Sequence, residues 1–242
     1  MIRMKGFILM GVMLLLACPY SLSAQSLKNY RIIYEKRVNV NKLYPRWATN
    51  TKEDKFHKEH FLLTTNSERS FYERKEKDIT EKESYLSSFM AYSQTYIDIV
   101  KRTQVSQKEV GEKTFLMKDS IPSLTWYLQD ETRSIAGYTC RKAIAKYADS
   151  IVIVAYFTEQ LEAPVGPESV NGLPGTILGM VIPRLHTTWL ATSVESLELK
   201  PVIDYVQPRK GELVTKSTLF DIVKKVYKDY DNLYSIIYRV IL

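Results

Sequence analysis

The sequence has 242 residues, of which 34 are Lys or Arg and 27 are Asp or Glu, so its formal net charge is +7. The basic residues are scattered among acidic ones, which argues against a nucleic-acid-binding surface. Solubility and weak attraction to anionic lipid or polysaccharide account for the excess charge. Aromatic side chains are frequent, with 17 Tyr, 8 Phe and 3 Trp. Together with β-branched runs, they predict a protein built mainly from β-strands.

The first 24 residues have the organisation of a secretory signal peptide. Arg3 and Lys5 precede the apolar run 7–17, and the small residues of 21–24 precede Gln25. About eleven apolar residues are too few to span a bilayer, which needs roughly 20. We therefore expect residues 1–24 to be removed and the mature chain to be periplasmic or secreted, without a transmembrane span.

The two cysteines raise separate questions. Residues 15–18, Leu-Leu-Ala-Cys, are similar to a lipobox, and acylation of Cys18 would make the chain an outer-membrane lipoprotein, although Leu16 fits that motif poorly. Cys140 has strand-like alternation around it, which predicts a buried, structural thiol. The alternative is a reactive thiol whose pKa is lowered by Arg141 or Lys142.

Eleven short segments rich in β-branched and aromatic residues are predicted strands. No linker rich in Pro, Gly or Ser interrupts them, so residues 25–242 are predicted to form a single domain with a curved antiparallel sheet, an open barrel or a sandwich. The segments are Tyr30–Val40, His60–Thr65, Ser70–Glu73, Tyr96–Arg102, Lys113–Met117, Leu124–Leu128, Tyr138–Tyr147, Ile151–Phe157, Ile177–Ile182, Thr187–Val194 and Leu233–Val240.

Two further segments differ from this pattern. Residues 73–83 carry charges of both signs in near balance and are predicted to be a solvated loop or frayed helix. One C-terminal helix is predicted to begin at Thr218, its capping residue, and to cover a face or mouth of the sheet. Its apolar residues recur at helical spacing: Leu219, Ile222, Val223, Val226, Tyr227 and Tyr230.

A turn is predicted at Leu173–Thr176, just before the strand that begins at Ile177. Pro174 fixes its own φ, and Gly175 can adopt a positive φ without steric penalty, so a type II turn is expected. The flanking residues Leu173 and Ile177 are expected to be buried.

Four blocks in the same order resemble the GLPGLI family, exported envelope proteins of Bacteroidetes-type bacteria. They are Ile135–Ala143, Ala155–Glu159, Gly166-Pro167 and Gly172–Leu178, with departures at Tyr156 and Thr176, where that family has Trp and Leu. The resemblance implies a structural signature and brings no activity, substrate, cofactor or catalytic residue with it. Some members of the family resemble the bowl-like, non-catalytic N-terminal domain of a bacterial peptide N-glycosidase. The signature residues are Gly137, Tyr138, Cys140, Lys142, Gly166, Pro167, Gly172, Leu173, Pro174 and Gly175.

Metal-binding and catalytic patterns are weak. His57 and His60 would share one face of a helix, but in a strand they point to opposite faces, so no metal site is predicted. His186 is predicted to be a loop residue. No nucleophile elbow, zinc-protease or phosphate-loop motif occurs. The acid or base candidates, Glu159, Asp149 and Asp130, are not distinguished from ordinary turn residues.

These observations favour an exported, non-catalytic binding or interaction module of the cell envelope. Its ligand would be an apolar small molecule held on an aromatic-lined, half-open sheet, or an envelope protein. One alternative is an accessory of an outer-membrane transport or secretion complex that is recognised through an exposed sheet edge. Another is a hydrolase or redox enzyme that uses Cys140 or Glu159.

Overall fold

The computed structural model of the chain describes residues 28–43, 56–75, 93–148, 151–197 and 205–242. The predicted signal peptide with Cys18, residue Asp149 and most of the charged segment 73–83 lie outside the described residues.

The described residues form one curved, open sheet of twelve strands, which confirms the predicted fold class. The spatial order is β12-β6-β5-β4-β3-β2-β1-β11-β10-β9-β8-β7. All neighbours are antiparallel except β12, which runs parallel to β6. The strands are β1 Tyr30–Asn39, β2 Phe56–Thr65, β3 Arg69–Arg74, β4 Ser93–Asp98, β5 Thr103–Val110, β6 Lys113–Ser120, β7 Trp126–Ile135, β8 Tyr138–Tyr147, β9 Ile151–Thr158, β10 Thr176–Ile182, β11 Thr187–Ser196 and β12 Glu212–Val214.

The predicted strand Tyr96–Arg102 is wrong at its C-terminal end. Residues 99–102 form a tight turn in which Asp98 Oδ1 accepts the Lys101 N–H at 2.9 Å and Arg102 has a φ of 55°. Strand β5 follows this turn and was missed. Its polar sequence, Thr-Gln-Val-Ser-Gln-Lys-Glu-Val, has few of the apolar residues on which the prediction relied.

The predicted C-terminal strand Leu233–Val240 is also wrong, because α3 spans Leu233–Ile241 as a helix. Its buried residues Ile236, Ile237, Val240 and Ile241 recur at helical spacing. The chain therefore ends in two helices instead of one.

The helix that was predicted, α2, spans Lys216–Val226. Its cap is Thr215 and not Thr218, because the Thr215 hydroxyl accepts the Thr218 N–H at 3.1 Å. Leu219 and Val223 are buried, whereas Val226 remains 49% exposed. The other helical elements are short: α1, Val40–Leu43, and a 3₁₀ turn, Pro183–Leu185. Among the described residues no helix combines the length and apolarity that a membrane crossing requires.

One continuous core joins the sheet to α2, α3 and the connection between β9 and β10. We call this connection, residues 159–175, the inner loop. The Tyr34 hydroxyl of β1 donates to the Ile177 carbonyl at 2.6 Å, and the Ser169 hydroxyl of the inner loop donates to the carbonyl of Leu242. The inner loop and the C-terminal end of the chain are thereby fixed against the same buried face of the sheet.

Candidate binding site

The buried face of the sheet has two chemically different parts. We call the inward face of β2–β5, together with Lys36 of β1, Trp189 of β11 and Glu168 of the inner loop, the polar half. Strand pairing places its polar residues side by side, so that Ser93 lies beside Lys108 and Thr95 beside Ser106. The Thr95 and Ser106 hydroxyls are 3.1 Å apart, and Lys108 Nζ donates to Ser93 Oγ at 2.8 Å. The buried polar side chains here are Glu59, Thr65, Ser70, Ser93, Thr95, Gln104, Ser106 and Lys108.

We call the inward face of β8–β10 the apolar half. Its residues are fully or nearly fully buried: Ala143, Ala145, Ile151, Ile153, Ala155, Met180 and Ile182. Ala143 pairs with Ala155, so two small side chains lie together and leave room for another segment to approach. This half resembles an ordinary protein interior.

The inner loop lies within the protein although most loops run over the surface. Its buried backbone groups need partners, and it has them. The Gly172 N–H donates to the Pro164 carbonyl at 3.1 Å, the Ile177 N–H to the Val165 carbonyl at 2.9 Å, and the Trp126 indole to the Asn171 carbonyl at 3.0 Å.

The inner loop supplies a buried carboxylate, Glu168, which is only 3% exposed and has a φ of 58°. Its Oε1 atom lies 2.8 Å from Nζ of Lys36 on β1. Burial alone would raise the pKa of the Glu168 carboxyl, but attraction by Lys36 and Lys108 outweighs burial and lowers it. Lys36 Nζ also lies 5.1 Å from the ring centres of both Phe61 and Trp189.

A second ion pair lies on β2 and β3, where Glu59 Oε1 is 2.7 Å from the Arg74 guanidinium. His57 Nε2 is 3.7 Å from the same carboxylate oxygen. Burial opposes ionisation of Glu59, yet His57, Lys36 and Arg74 lower the pKa of its carboxyl. Both carboxylates of this region are therefore ionised near neutral pH.

Several buried polar atoms of this region have no hydrogen-bond partner among the described residues. They include the Tyr72 hydroxyl, both amide atoms of Gln104, Glu168 Oε2, the Trp189 indole nitrogen and His57 Nε2. Burial strongly raises the pKa of Tyr72. Buried polar atoms normally have hydrogen-bond partners. Several unsatisfied atoms in one region are therefore unusual and require an explanation.

The predicted histidine geometry is confirmed. His57 and His60 lie on β2, the first half-buried beside Glu59 and the second exposed, 3.9 Å from Glu35 Oε2. Within the described ranges no three His, Cys, Asp or Glu residues are grouped to hold a metal ion. His186 follows the 3₁₀ turn with a φ of 47°, as a loop residue should.

The glycines of the inner loop have packing roles. Gly175 has the predicted positive φ, 142°, and a Cβ there would lie 2.1 Å from the Thr158 carbonyl oxygen. The predicted type II turn is wrong in detail, because the Gly175 N–H donates to the Leu173 carbonyl at 2.8 Å and so closes a three-residue turn. A Cβ on Gly166 would lie 2.7 Å from Ile177 Cβ. Leu173 and Ile177 are buried as predicted.

The remaining signature residues lie elsewhere. Ala136 and Gly137, with φ of 49° and 86°, form the tight turn between β7 and β8. Lys142 is on the opposite face of the sheet, where its Nζ lies 2.6 Å from Glu131 Oε2. Hydrogen bonds from Lys142 and then from Tyr156 lower the pKa of the Glu131 carboxyl to about 2. The structure therefore does not bring the signature residues together in one site.

The candidate catalytic residues are also dispersed. Cys140 is fully buried, and burial raises the pKa of its thiol to about 11, as expected for an unreactive cysteine. Glu159 is exposed in a cleft of about 270 Å³ lined by Thr132, Thr139, Arg141, Phe157, Thr158 and Gln160, without a histidine. Asp130 is exposed and lies 3.6 Å from the Arg141 guanidinium.

A larger cleft, of about 430 Å³, lies between the end of β8 and the two C-terminal helices. Lys146 and Lys216 line it together with Tyr147, Phe220 and Tyr238. Lys216 Nζ lies 4.7 Å from the centre of the Tyr147 ring. This cleft offers an aromatic surface with two cations.

Sequence reasoning missed the three residues at the centre of the polar half. Lys36 occupies an inward position in the alternation Tyr30, Ile32, Tyr34, Lys36, Val38, which was a usable signal. Glu168 directly follows the Gly166-Pro167 block. Lys108 gave no signal because its strand was not predicted.

Comparison with known proteins adds a fold likeness. No family model matches the chain, and no curated protein matches it. Two crystal structures of PNGF-II, in the C2 and P21 space groups, are each 18% identical to the chain, with TM-scores of 0.53 and 0.54. They cover 86% and 83% of this chain, which spans only 33% of the length of PNGF-II. An uncharacterized conserved protein from Thermus thermophilus is 8% identical with a TM-score of 0.36, over 79% of this chain and 91% of that one. At these identities the likeness to PNGF-II shows the fold alone.

Proposed function

We propose that the protein is an exported, non-catalytic binding module of the cell envelope that holds a small polar ligand against the polar half. The observation that carries this proposal is the group of buried atoms on Tyr72, Gln104, Glu168 and Trp189 that have no hydrogen-bond partner among the described residues. Unpaired polar groups in an interior destabilise the folded state unless another molecule completes their hydrogen bonds. The sequence predicted an apolar small molecule or an envelope protein as the partner, and the chemistry of the polar half favours a polar small molecule.

The aromatic residues still contribute to the proposed site. The Phe61 and Tyr72 rings stack with centres 4.9 Å apart, and Trp189 lies beside Lys36 on the neighbouring strand. A polar ligand would therefore meet flat apolar surfaces between its hydrogen-bonding groups, which is the usual composition of a small-molecule site.

An enzymatic role has less support. The thiol of Cys140 is buried away from substrate, and Glu159 is exposed in a cleft beside Arg141 whose lining, among the described residues, contains no histidine to act as a base.

Recognition through an exposed sheet edge has a specific observation in its favour and another against it. Strand β7 is the last strand of the sheet, and its Tyr127 is 64% exposed. However, the pairing of β7 with β8 is irregular between Leu128 and Thr132, and Asp130 and Glu131 lie within that irregularity. Bulges and charges on an edge hinder the addition of another strand. We therefore favour the interior site over strand addition.

Native mass spectrometry of the protein isolated from its own cell envelope tests the proposal. We expect a chain that begins at Gln25, or at an acylated Cys18, with a non-covalent adduct that disappears on denaturation. Gln104→Leu removes an unpartnered inward amide and should lose the adduct. Gln107→Leu, on the outward face of the same strand, should keep it.

Two outcomes would contradict the proposal. A chain that begins at Met1 would refute export. Native protein without an adduct, or an adduct kept equally by both glutamine variants, would refute binding at the polar half.

A further inference from the structure

The charges of the polar half do not balance. The Lys36 ammonium is paired with Glu168, and the Arg74 guanidinium with Glu59. Lys108 is fully buried, and its ammonium donates to the neutral hydroxyl of Ser93. No carboxylate among the described residues forms an ion pair with Lys108.

A buried ammonium without a counter-ion is strongly unfavourable. The charged groups that act on Lys108 are Glu168 from the inner loop, Lys36 from β1 and Lys216 from α2. Burial, followed by the repulsion of the two lysines, lowers the pKa of Lys108 to about 8 against the attraction of Glu168. Lys108 therefore still carries most of its charge at neutral pH.

Unpartnered donors accompany this charge. The Trp189 indole N–H lies close enough to the Tyr72 hydroxyl and to the Glu168 carboxylate to lower the pKa of both groups, but none of these contacts has full hydrogen-bond geometry in the part of the chain that the structure describes. Both side chains are at least 98% buried. Water molecules could satisfy these donors, but water would not neutralise the ammonium.

We propose that Lys108, assisted by Trp189 and Tyr72, binds a carboxylate group of the ligand, an inference that rests on the proposed binding function. A monoanion matches the single surplus positive charge. Glu168 repels any anion at this position, and it repels a phosphate or sulfate dianion, which would also exceed the surplus charge, more strongly than a carboxylate. The nearby guanidinium that would favour such dianions, on Arg74, is held by Glu59 at 2.7 Å.

Sodium acetate is the probe for a carboxylate, and sodium sulfate at matched ionic strength is the comparison. Thermal unfolding at pH 7 should show a saturable stabilisation by acetate that sulfate does not reproduce. Lys108→Met should weaken the acetate effect by about 10- to 100-fold, as expected for loss of a charge-assisted hydrogen bond. Lys118→Met is the matched control, because Lys118 is an exposed lysine on the adjacent strand β6, and it should respond like the wild type.

Two further measurements keep the test independent of how Lys108→Met folds. Trp189→Phe, which removes the indole N–H, should weaken acetate binding to a smaller extent. In the wild type, the acetate dissociation constant should rise roughly tenfold per pH unit above about pH 8, because only the protonated ammonium binds.

The proposal is overturned if acetate has no saturable effect on the wild type, if Lys108→Met and Lys118→Met respond alike, or if sulfate gives an equal saturable effect that is lost in Lys108→Met; a non-saturable sulfate effect is general salt stabilisation. Failure here is distinguishable from failure of the proposed function. Protein that carries an adduct when natively isolated, but ignores acetate after the adduct has been removed, would refute only the carboxylate. Natively isolated protein that carries no adduct would refute the binding function itself.

Discussion

The apolar half and the polar half belong to one sheet but are organised by different physical effects. In the apolar half, small and branched side chains such as Ala143, Ala155 and Ile153 pack against the inner loop without any charge. In the polar half, Glu168 and Lys108 are buried and Lys36 is half-buried, at positions where apolar residues of similar size would give equal or greater stability. The proposed binding function would account for this difference, because folding stability alone does not call for buried charges at these positions.

The strongest test of how the inner loop packs beside the apolar half is Gly175→Ala. The new Cβ would lie 2.1 Å from the Thr158 carbonyl oxygen in a residue whose φ is 142°. We expect the free energy of unfolding to fall by at least about 3 kcal/mol, from backbone strain together with overpacking. Chemical denaturation measures this change.

Gly137→Ala is the matched control, because Gly137 also has a positive φ but a Cβ there would meet nothing within 4 Å. Strain alone should then cost about 1 to 2 kcal/mol. Equal losses in the two variants would contradict a packing role for Gly175.

The next largest expected difference in the free energy of unfolding is between Leu173→Ala, in the inner loop, and Gln104→Leu, in the polar half. Leu173 is 2% exposed in the inner loop, so its truncation should cost about 2 to 5 kcal/mol. Gln104 has a buried amide without a partner among the described residues, so its replacement by leucine should be neutral or slightly stabilising. A loss at Gln104 as large as that at Leu173, measured by denaturant unfolding without ligand, would show that the polar half is an ordinary part of the core.

The stability of the ligand-free protein should depend on the titration of Lys108. Its folded pKa of about 8 lies below the ordinary lysine value of 10.5, so the unfolded chain binds more protons between these values. Stability contributed by this group therefore rises with pH from about 8 and is lowest below that pH. Between about pH 7.5 and 9.5 the rise should be on the order of 1 to 2 kcal/mol.

Lys108→Met should remove that rise and should be more stable than the wild type at pH 7 without ligand. The quantity to compare is the wild-type value minus the variant value at each pH, because Lys216, whose pKa burial also lowers, titrates in both proteins. A difference that does not change between about pH 7.5 and 9.5 would rule out a buried, protonated Lys108.

The sequence was informative where local pattern and tertiary environment agree. Alternation and β-branching identified β8, β9 and β10 almost to their ends, and the apolar half follows from those strands. The same signals failed for β5, because its inward residues, Gln104, Ser106 and Lys108, are polar. In a buried polar strand the polar residues alternate as they do in a surface strand, but they lie on the inward face. The period of the pattern alone therefore does not show which face is buried.

The sequence predicted a smaller part of the candidate site than of the fold. Lys36, Lys108 and Glu168 come from β1, β5 and the inner loop, which the tertiary structure brings together. The Gly166-Pro167 block marked the position of Glu168 without indicating its charge partner. The C-terminal strand error has a different cause: Leu233–Ile241 is rich in β-branched residues, and its helical spacing outweighs their local preference once the segment packs on α2.

The smallest expected effect concerns the hydroxyl pair of the polar half, Thr95 and Ser106. Their oxygens are 3.1 Å apart and both side chains are buried, so Ser106→Ala leaves the Thr95 hydroxyl without that partner and should cost about 1 to 2 kcal/mol. Adding Thr95→Val to this variant removes the unpaired hydroxyl, while the side chain keeps nearly the same shape. The double variant should therefore be no less stable than the single one, with a coupling energy of about 1 kcal/mol in a double-mutant cycle. Additive losses would mean that each hydroxyl acts separately and that the polar half lacks the paired network described for it.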